Sequence, residues 1–370
     1  MGVKPVSTAV IGAGMISDIY LENMIRHFPS VQVEAIGSAH GARAREKAEK
    51  YGISAAPVND ILRDPGIEMI VNLTPVQEHE KIIRAALLAG KHVYTEKTIT
   101  DRPGTAMELI GLARERKLVL GSAPDTFLGA SLQTARKAID AGMIGRVTSV
   151  SATVNWQNDH LLSFYPFLRV PGCGLAYDYA VYYVTAMVSL LGPMCRTAAF
   201  ADNPIPVHID INPESPGYGT EFTCENESRV MAVMQFKSGV TGTLNLNANS
   251  IREDQAAFAV YGTEGILYLG NPDQFGGPVR LAVNGDHGRT VMRELPMVGP
   301  YMRDSRGIGA ADMAEAIREG REPRASADMA YHVLEVLNCM LVSGKNGTFQ
   351  TIASTCERPE ALSCVWGNHI

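Results

Sequence analysis

No run of about eighteen apolar residues, the length needed to cross a bilayer, occurs in this sequence. No cluster of lysines and arginines is present that would follow a phosphate backbone, and the formal net charge is -6. These two absences argue against a membrane-spanning helix and against a nucleic-acid partner, and leave a small molecule as the expected partner. Cysteine is sparse: Cys173, Cys195, Cys224, Cys339, Cys356 and Cys364 are scattered, with no Cys-x-x-Cys pair and no Cys/His spacing that would hold a metal. Reduced thiols and no metal site are expected. Internal repeats and low-complexity segments are also missing. The first strand pattern, near Ala9, begins too early for the charged, apolar and cleavage regions of a secretory signal, so a cytoplasmic location is expected.

What the sequence has is ample core material, with 46% apolar and 19% charged residues in a chain of 370. That length exceeds one ordinary domain and suggests two. Between residues 7 and 122, short β-branched runs alternate with stretches of helical period. Thr8 to Ile11, Val31 to Ile36, Met69 to Leu73, His92 to Thr95 and Leu118 to Leu120 read as strands, and alternation of this kind implies right-handed βαβ units around a parallel sheet. The stretch from Gln77 to Gly90 places Ile82, Ile83, Ala86 and Leu87 on one helical face, with Gly90 as the terminating residue.

The rhythm changes around Ala123 and Pro124, where we place the domain boundary: residues 1–123 for the first domain and 124–370 for the second. Leu128, Leu132, Ala135 and Ile139 form an amphipathic stripe there. From Arg146 to about Glu294 alternating strand patterns follow one another with hairpin punctuation, as at Lys237-Ser238-Gly239, implying a largely antiparallel sheet. Late helical patterns over Arg306 to Arg318 and Ala327 to Leu341 would cover that sheet or dock back on the first domain. The fold class expected is therefore α/β: an N-terminal Rossmann domain, then a C-terminal α+β domain on an open, mainly antiparallel sheet.

Candidate chemistry begins at Gly12-Ala13-Gly14-Met15-Ile16-Ser17, between a strand and a helix. Gly12 suits a tight turn, Gly14 lets backbone approach a pyrophosphate, and the helix N-terminus attracts that anion; Ser17 takes the place of the third glycine of the full dinucleotide fingerprint. After the second strand come Ser38, Ala39 and His40, with Arg43 and Arg45 beyond. Nothing there repels a 2′-phosphate, so the cofactor is NAD or NADP. Glu34 lies inside the strand and reads as an exposed edge charge. Further on, Asn155 to His160, with Tyr165 and Arg169, carries aromatic and polar groups suited to a sugar. Trp156 and Tyr165 would stack on a pyranose or pack for stability. His160 reads as surface decoration on a loop.

Together with Asn72-Leu73-Thr74-Pro75, His79, Gly90 to Lys97 and Gly172 to Tyr182, the glycine-rich turn resembles the glucose-fructose oxidoreductase, inositol dehydrogenase and rhizopine-catabolism family, abbreviated Gfo/Idh/MocA. The resemblance spans nearly the whole chain. It implies that Gly12, Gly14, Met15 and Ile16 contact the pyrophosphate, Ser38 and His40 the adenosine ribose, and Thr74, Pro75 and His79 the nicotinamide side. Glu96 and Lys97 match the family's Glu-Lys-Pro motif, in which the lysine is catalytic. The resemblance also implies homo-oligomers built through the C-terminal sheet.

Departures from the pattern are informative. Thr98 replaces the proline after the lysine, Cys173 and Ala180 replace glycines, and Tyr182 stands where inositol dehydrogenases carry histidine. The tyrosine resembles glucose-fructose oxidoreductase and the dimeric dihydrodiol dehydrogenases. Oxidising an alcohol requires a base within reach of its hydroxyl, and a phenol becomes one when an ammonium such as that of Lys97 lowers its pKa. Asp178, four residues before Tyr182, shares its face if the segment is helical, and either touches substrate or orients the helix start. The expected activity is hydride transfer from a ring secondary hydroxyl of a sugar or glycoside, for instance at C3 of a glucosyl group. The catalytic residues would be Lys97, Tyr182 and Asp178, with Trp156 and Tyr165 at the substrate. Two other classes stay open: a glycosidase that oxidises C3 transiently and eliminates, and a non-catalytic dinucleotide sensor.

Overall fold

The structure, a computed structural model, describes residues 4–155, 157, 159–170, 172–250 and 257–363. The elements in chain order begin β1 (Val6–Ile11), α1 (Ile16–Arg26), β2 (Val31–Gly37), α2 (Gly41–Tyr51), β3 (Ser54–Ala55), α3 (Val58–Arg63), β4 (Met69–Asn72), α4 (Val76–Leu88), β5 (His92–Thr95), α5 (Pro103–Glu115) and β6 (Leu120–Ser122). There follow α6 (Ala130–Asp140), β7 (Val147–Asn155), α7 (Asp159–Phe164), α8 (Val181–Leu191), β8 (Met194–Asp202), β9 (Val207–Ile209), β10 (Glu221–Thr223), β11 (Arg229–Phe236) and β12 (Thr241–Asn247). The last are β13 (Ala257–Gly262), β14 (Gly265–Leu269), β15 (Arg280–Asn284), β16 (Thr290–Glu294), α9 (Ile308–Glu319), α10 (Ala327–Asn346) and β17 (Gln350–Thr351).

The chain divides into two compact units. The first runs to Leu128 and takes in Asp304–Tyr331; the second takes in Gly129–Arg303 and continues from His332. In the first, six strands in the order β3-β2-β1-β4-β5-β6 pair entirely in parallel. This is the doubly wound dinucleotide-binding order. Strands β1, β4 and β5 are almost wholly buried, which explains their unbroken apolar runs. Strand β3 is two exposed residues with no apolar signal, and sequence patterning passes over it.

Helix α9 belongs to this first unit, one of the two positions left open for the late helical patterns. It is joined there by long-range polar contacts. Asp125, buried after β6, accepts the Gly307 and Gly309 N–H groups at 2.9 and 3.0 Å. Arg318 forks onto both Glu68 oxygens at 2.7 and 2.6 Å. Burial pushes the Asp125 carboxyl up to about 6, whereas the Arg318 guanidinium holds Glu68 down to about 2.

In the second unit nine strands follow the order β16-β15-β14-β13-β7-β12-β11-β8-β17. Every pairing is antiparallel except β7 with β12. The β11–β12 hairpin turns at Lys237-Ser238-Gly239 as its punctuation suggests. Inward residues such as Val230, Ala232, Met234, Leu244 and Leu246 alternate with outward ones, as a sheet covered on one face demands. A separate two-stranded ribbon, β9 with β10, stands apart from this sheet.

His332, in the part of α10 within the second unit, is fully buried. Its Nε2 accepts the Met194 N–H at 3.0 Å and its Nδ1 faces the Ser354 hydroxyl at 2.8 Å. The ring is held neutral, and burial pulls its pKa down to about 4. Unfolding releases it to the ordinary value near 6.5, so stability present above that pH is lost as pH falls from 6.5 through 4, by about 3 kcal/mol at most. His79 and His92 are depressed in the same direction by burial, while Asp125 opposes them. Comparison with a variant therefore isolates the residue: His332→Gln keeps an acceptor for Met194, and thermal melts between pH 7 and pH 4.5 are expected to show a clearly shallower loss of Tm than the parent.

Candidate active site

Three loops leave the C-terminal ends of β1, β4 and β5. Connections diverge between β1 and β4, the switch point where such sheets bind ligand. Gly12 carries φ +117°, and a Cβ there would press on the Leu73 carbonyl carbon and oxygen at 2.6 Å. Glycine is required on both counts. Gly14 faces open space, and no side chain caps α1; the Ser17 and Asp18 amides bond the Gly14 and Met15 carbonyls, and the helix end with its positive dipole faces an incoming anion. Asp18, an acid in that first turn, is gripped by Lys47, by Lys50 at 2.9 Å and by the Tyr51 hydroxyl at 2.9 Å. Its pKa is lowered to about 2, with the lysine and tyrosine hydrogen bonds outweighing burial. The charge that would repel a pyrophosphate is thereby compensated, and the residues present fit a dinucleotide. Ser17, in the place of the third glycine, is fully buried and donates to the Gly14 carbonyl at 2.6 Å.

At the end of β2 the Ser38 hydroxyl accepts the His40 N–H at 3.2 Å, and His40 is exposed at the start of α2. Beyond β4, Asn72 braces the edge of the sheet. Its amide donates to the Thr95 hydroxyl at 3.0 Å and its Oδ1 accepts the Thr74 hydroxyl at 2.8 Å. Thr74 is half-buried and Pro75 exposed. His79 is fully buried with Nδ1 2.8 Å from the Thr98 carbonyl and Nε2 2.9 Å from the Thr74 carbonyl. The ring thus ties the loop after β4 to the loop after β5. Two carbonyl acceptors favour the imidazolium, but burial prevails and lowers the pKa.

Glu96 and Lys97 follow β5 directly. The Tyr20 hydroxyl of α1 donates to Glu96 Oε1 at 2.6 Å, and Glu96 Oε2 accepts the Lys97 N–H at 3.1 Å. Burial, then the Glu96 charge, raises the Tyr20 pKa well above the usual phenol value. Glu96 is therefore pinned at both oxygens, and Lys97, half-buried, leaves the sheet edge beside it. The peptide bond to Thr98 is cis.

In the second unit, Ala176–Ala180 forms a single π-helical turn that runs into α8. Asp178 is half-buried within the π turn and Tyr182 lies in the first turn of α8, 8% exposed. Turns of this type recur at functional sites. Around Tyr182, the Tyr179 ring stands edge-on at 6.0 Å. Asn271 fixes the neighbours, donating to the Tyr179 hydroxyl at 2.8 Å and accepting from that of Tyr183 at 3.2 Å.

Tyr165 is half-buried, edge-on to Phe167 at 6.2 Å. Its segment is strapped by the β9–β10 ribbon: Asp159 meets His208 Nδ1 at 2.7 Å, Arg169 lies 3.6 Å from the Phe222 ring centre, and its guanidinium reaches Asp210 at 3.3 Å. His160 corrects an expectation. It sits on α7 instead of a loop, stacked on Phe164 at 4.4 Å between ring centres, because the two are four residues apart on one helix. Trp156 lies outside the described residues, as do Cys364 and Trp366. Among the described residues no cluster of metal-ligating side chains occurs, and no helix is long and apolar enough to cross a membrane.

Sequence reading missed Tyr20, Asp125 and Glu227. Tyr20 was hidden in the buried face of an ordinary amphipathic helix, and the two acids find their partners only through folding.

Comparison with known proteins agrees with this architecture. Residues 6–123 match the model of an oxidoreductase family with an NAD-binding Rossmann fold, and residues 132–268 match the GFO/IDH/MocA C-terminal domain. The chain belongs to the Gfo/Idh/MocA oxidoreductase family. A dTDP-3,4-didehydro-2,6-dideoxy-alpha-D-glucose 3-reductase of Streptomyces violaceoruber is 36% identical over 148 residues, 39% of this chain and 43% of that protein. The myo-inositol 2-dehydrogenase of Thermotoga maritima is 21% identical over 321 residues, 86% of this chain and 90% of that one. A solved levoglucosan dehydrogenase in complex with NADH superposes with a TM-score of 0.82 at 21% identity, covering 95% of this chain and all of that one, a likeness of fold. The chain spans about half the length of the curated relatives it matches first.

Proposed function

We propose that this protein is an NAD(P)-dependent dehydrogenase that takes hydride from a ring secondary hydroxyl of a sugar or glycoside, C3 of a glucosyl group among the candidates. The observation that carries the reading is Lys97 at the C-terminal end of β5, beside a Glu96 held by Tyr20 and in the same sheet as the uncapped glycine-rich turn. The substrate class is supported by the activities for which relatives are named, a sugar 3-reductase and a levoglucosan dehydrogenase.

When bound, the nicotinamide supplies the hydride acceptor. The Gly12–Ile16 turn holds its pyrophosphate, Ser38 and His40 its adenosine ribose, and Thr74, Pro75 and the His79-braced loop its nicotinamide side. Lys97 and Tyr182 are assigned the handling of the proton, with the Tyr182 phenol, as phenolate, accepting it from the reacting hydroxyl. This is the tyrosine-type arrangement that Tyr182 resembles in glucose-fructose oxidoreductase and dimeric dihydrodiol dehydrogenase. Asp178 orients substrate within reach of Tyr182, and Tyr165 stacks against the ring. Self-association is assigned to the outward face of the nine-stranded sheet, where Met231 and Phe200 pair across β11 and β8 at 43% and 81% exposure and Phe349 lies at 61%.

A panel of sugars and glycosides, offered with NAD and with NADP and followed at the nicotinamide absorbance, is expected to give net reduction of one cofactor with at least one sugar. Release of aglycone without net reduction would replace this reading with transient-oxidation glycoside cleavage. Dinucleotide binding with no turnover of any kind would replace it with a sensor.

A further inference from the structure

The amides that open the Tyr182-bearing helical segment have no local cap. Gly172, Cys173 and Gly174 offer no hydroxyl or carboxylate, and Leu175 at the N-cap position makes no side-chain cap bond. A carboxylate from far along the chain serves instead: Glu227 Oε1 accepts the Ala176 N–H at 2.9 Å, and the Glu227 carbonyl accepts that of Leu175 at 3.5 Å. The approach is so close that a Cβ on Gly174 would collide with both carboxylate oxygens and meet Cδ at 2.5 Å. Gly174 has no unusual φ, so it is the approach of Glu227, not backbone conformation, that argues against a side chain there.

The residue before Glu227 grips the other side of the same turn. Asn226 donates to the Leu168 and Val170 carbonyls, both at 2.8 Å. Asn203 in turn holds this segment, donating to the Cys224 and Asn226 carbonyls at 2.8 Å, and its Oδ1 accepts the Ser228 hydroxyl at 2.8 Å. The glycine-rich turn is bracketed before and after by two adjacent side chains on a braced strand entry.

We propose that Glu227 is the positioning residue of Tyr182: its carboxylate fixes where the π turn begins, and with it the place of the Asp178 side chain within that turn and of the Tyr182 side chain in the turn that follows. The proposal rests on the reading of Tyr182 as the proton-carrying group. Removing the carboxylate frees the Ala176 amide to seek another partner, leaving only the longer Leu175 bond to the backbone carbonyl of residue 227, and a slip at the helix start is passed along its axis to the phenol. A misplacement of this order costs about 100-fold in rate.

The full chain with its cofactor serves as the test, with Tyr182 observed by NMR of 13Cζ-labelled tyrosine, its resonance assigned by Tyr182→Phe. In Glu227→Ala the resonance is expected to move and kcat to fall by about 100-fold, with KM and dinucleotide affinity changed by less than about threefold. Glu227→Gln, whose amide oxygen still accepts the Ala176 N–H, keeps the resonance in place and retains about a third or more of kcat. Gly174→Ala alone is expected to be at least as damaging as Glu227→Ala, and the double variant Gly174→Ala with Glu227→Ala no worse than Glu227→Ala, because the added methyl then has room. A Tyr182 resonance unmoved in Glu227→Ala overturns the proposal, as does multiplication of the two single losses in the double variant. Full turnover by Tyr182→Phe overturns the proton-carrying role alone, since the resonance shift in Glu227→Ala reads position without reference to activity.

Discussion

Lys97→Ala is expected to lower kcat by about 1000-fold or more while dinucleotide affinity stays within about threefold of the parent, read by steady-state turnover beside a fluorescence titration of the reduced cofactor. The separation follows from where the lysine stands. The pyrophosphate turn lies after β1, and its shape rests on other residues: Gly12 packs on the Leu73 carbonyl, and Asp18 is neutralised by Lys47 and Lys50. Glu96 keeps its Tyr20 bond whatever follows it, and it binds the Lys97 backbone amide, which alanine retains. Lys97→Arg refines the test. A guanidinium keeps the charge but does not give up its proton near neutrality, so partial activity would assign the lysine an electrostatic role and none would assign it proton transfer. Loss of turnover and of cofactor binding in equal measure in Lys97→Ala would mark a structural lysine.

Tyr182→Phe is expected to lower kcat by about 100-fold or more with little change in KM, measured with the best substrate of the sugar panel. The side chain is 8% exposed and the Tyr179 ring stands edge-on to it, so phenylalanine fills the same volume and the fold is kept. What disappears is one hydroxyl. An unfavourable KM with unchanged kcat would instead make that hydroxyl a binding contact, and an unchanged enzyme would move the proton to another group, Asp178 first.

The parallel sheet was legible because strands buried on both faces read as unbroken β-branched runs between helical stripes; the two-residue β3 escaped, and the last strand, expected at Leu118 to Leu120, is Leu120–Ser122, because Gly121 and Ser122 carry no apolar signal. In the second sheet the hairpin residues announced β11 and β12. The parallel pairing of β7 with β12 could not be read, since it joins Ser149 to Thr241 across α7, α8 and four intervening strands. The same contrast holds for the site. Residues whose role depends on local backbone, such as Gly12 and Lys97, lie in recognisable spacing. Glu227, Tyr20 and Asp125 act through partners remote in the chain, and an isolated acid or tyrosine carries no mark of that. Gly174 was visible as part of a glycine-rich turn, but the reason for it, a carboxylate beneath its Cα, is a property of the fold.

The return of Asp304–Tyr331 to the first unit sets a timetable for synthesis. A nascent chain exposes β1 to β6 early, yet Asp125 must wait for the amides of Gly307 and Gly309, and Glu68 for Arg318. Those residues leave the ribosome only after Gly129–Arg303 has been translated. The lobe at the amino terminus is therefore begun first and sealed late, reversing the usual vectorial order in which an N-terminal domain finishes before its successor is made.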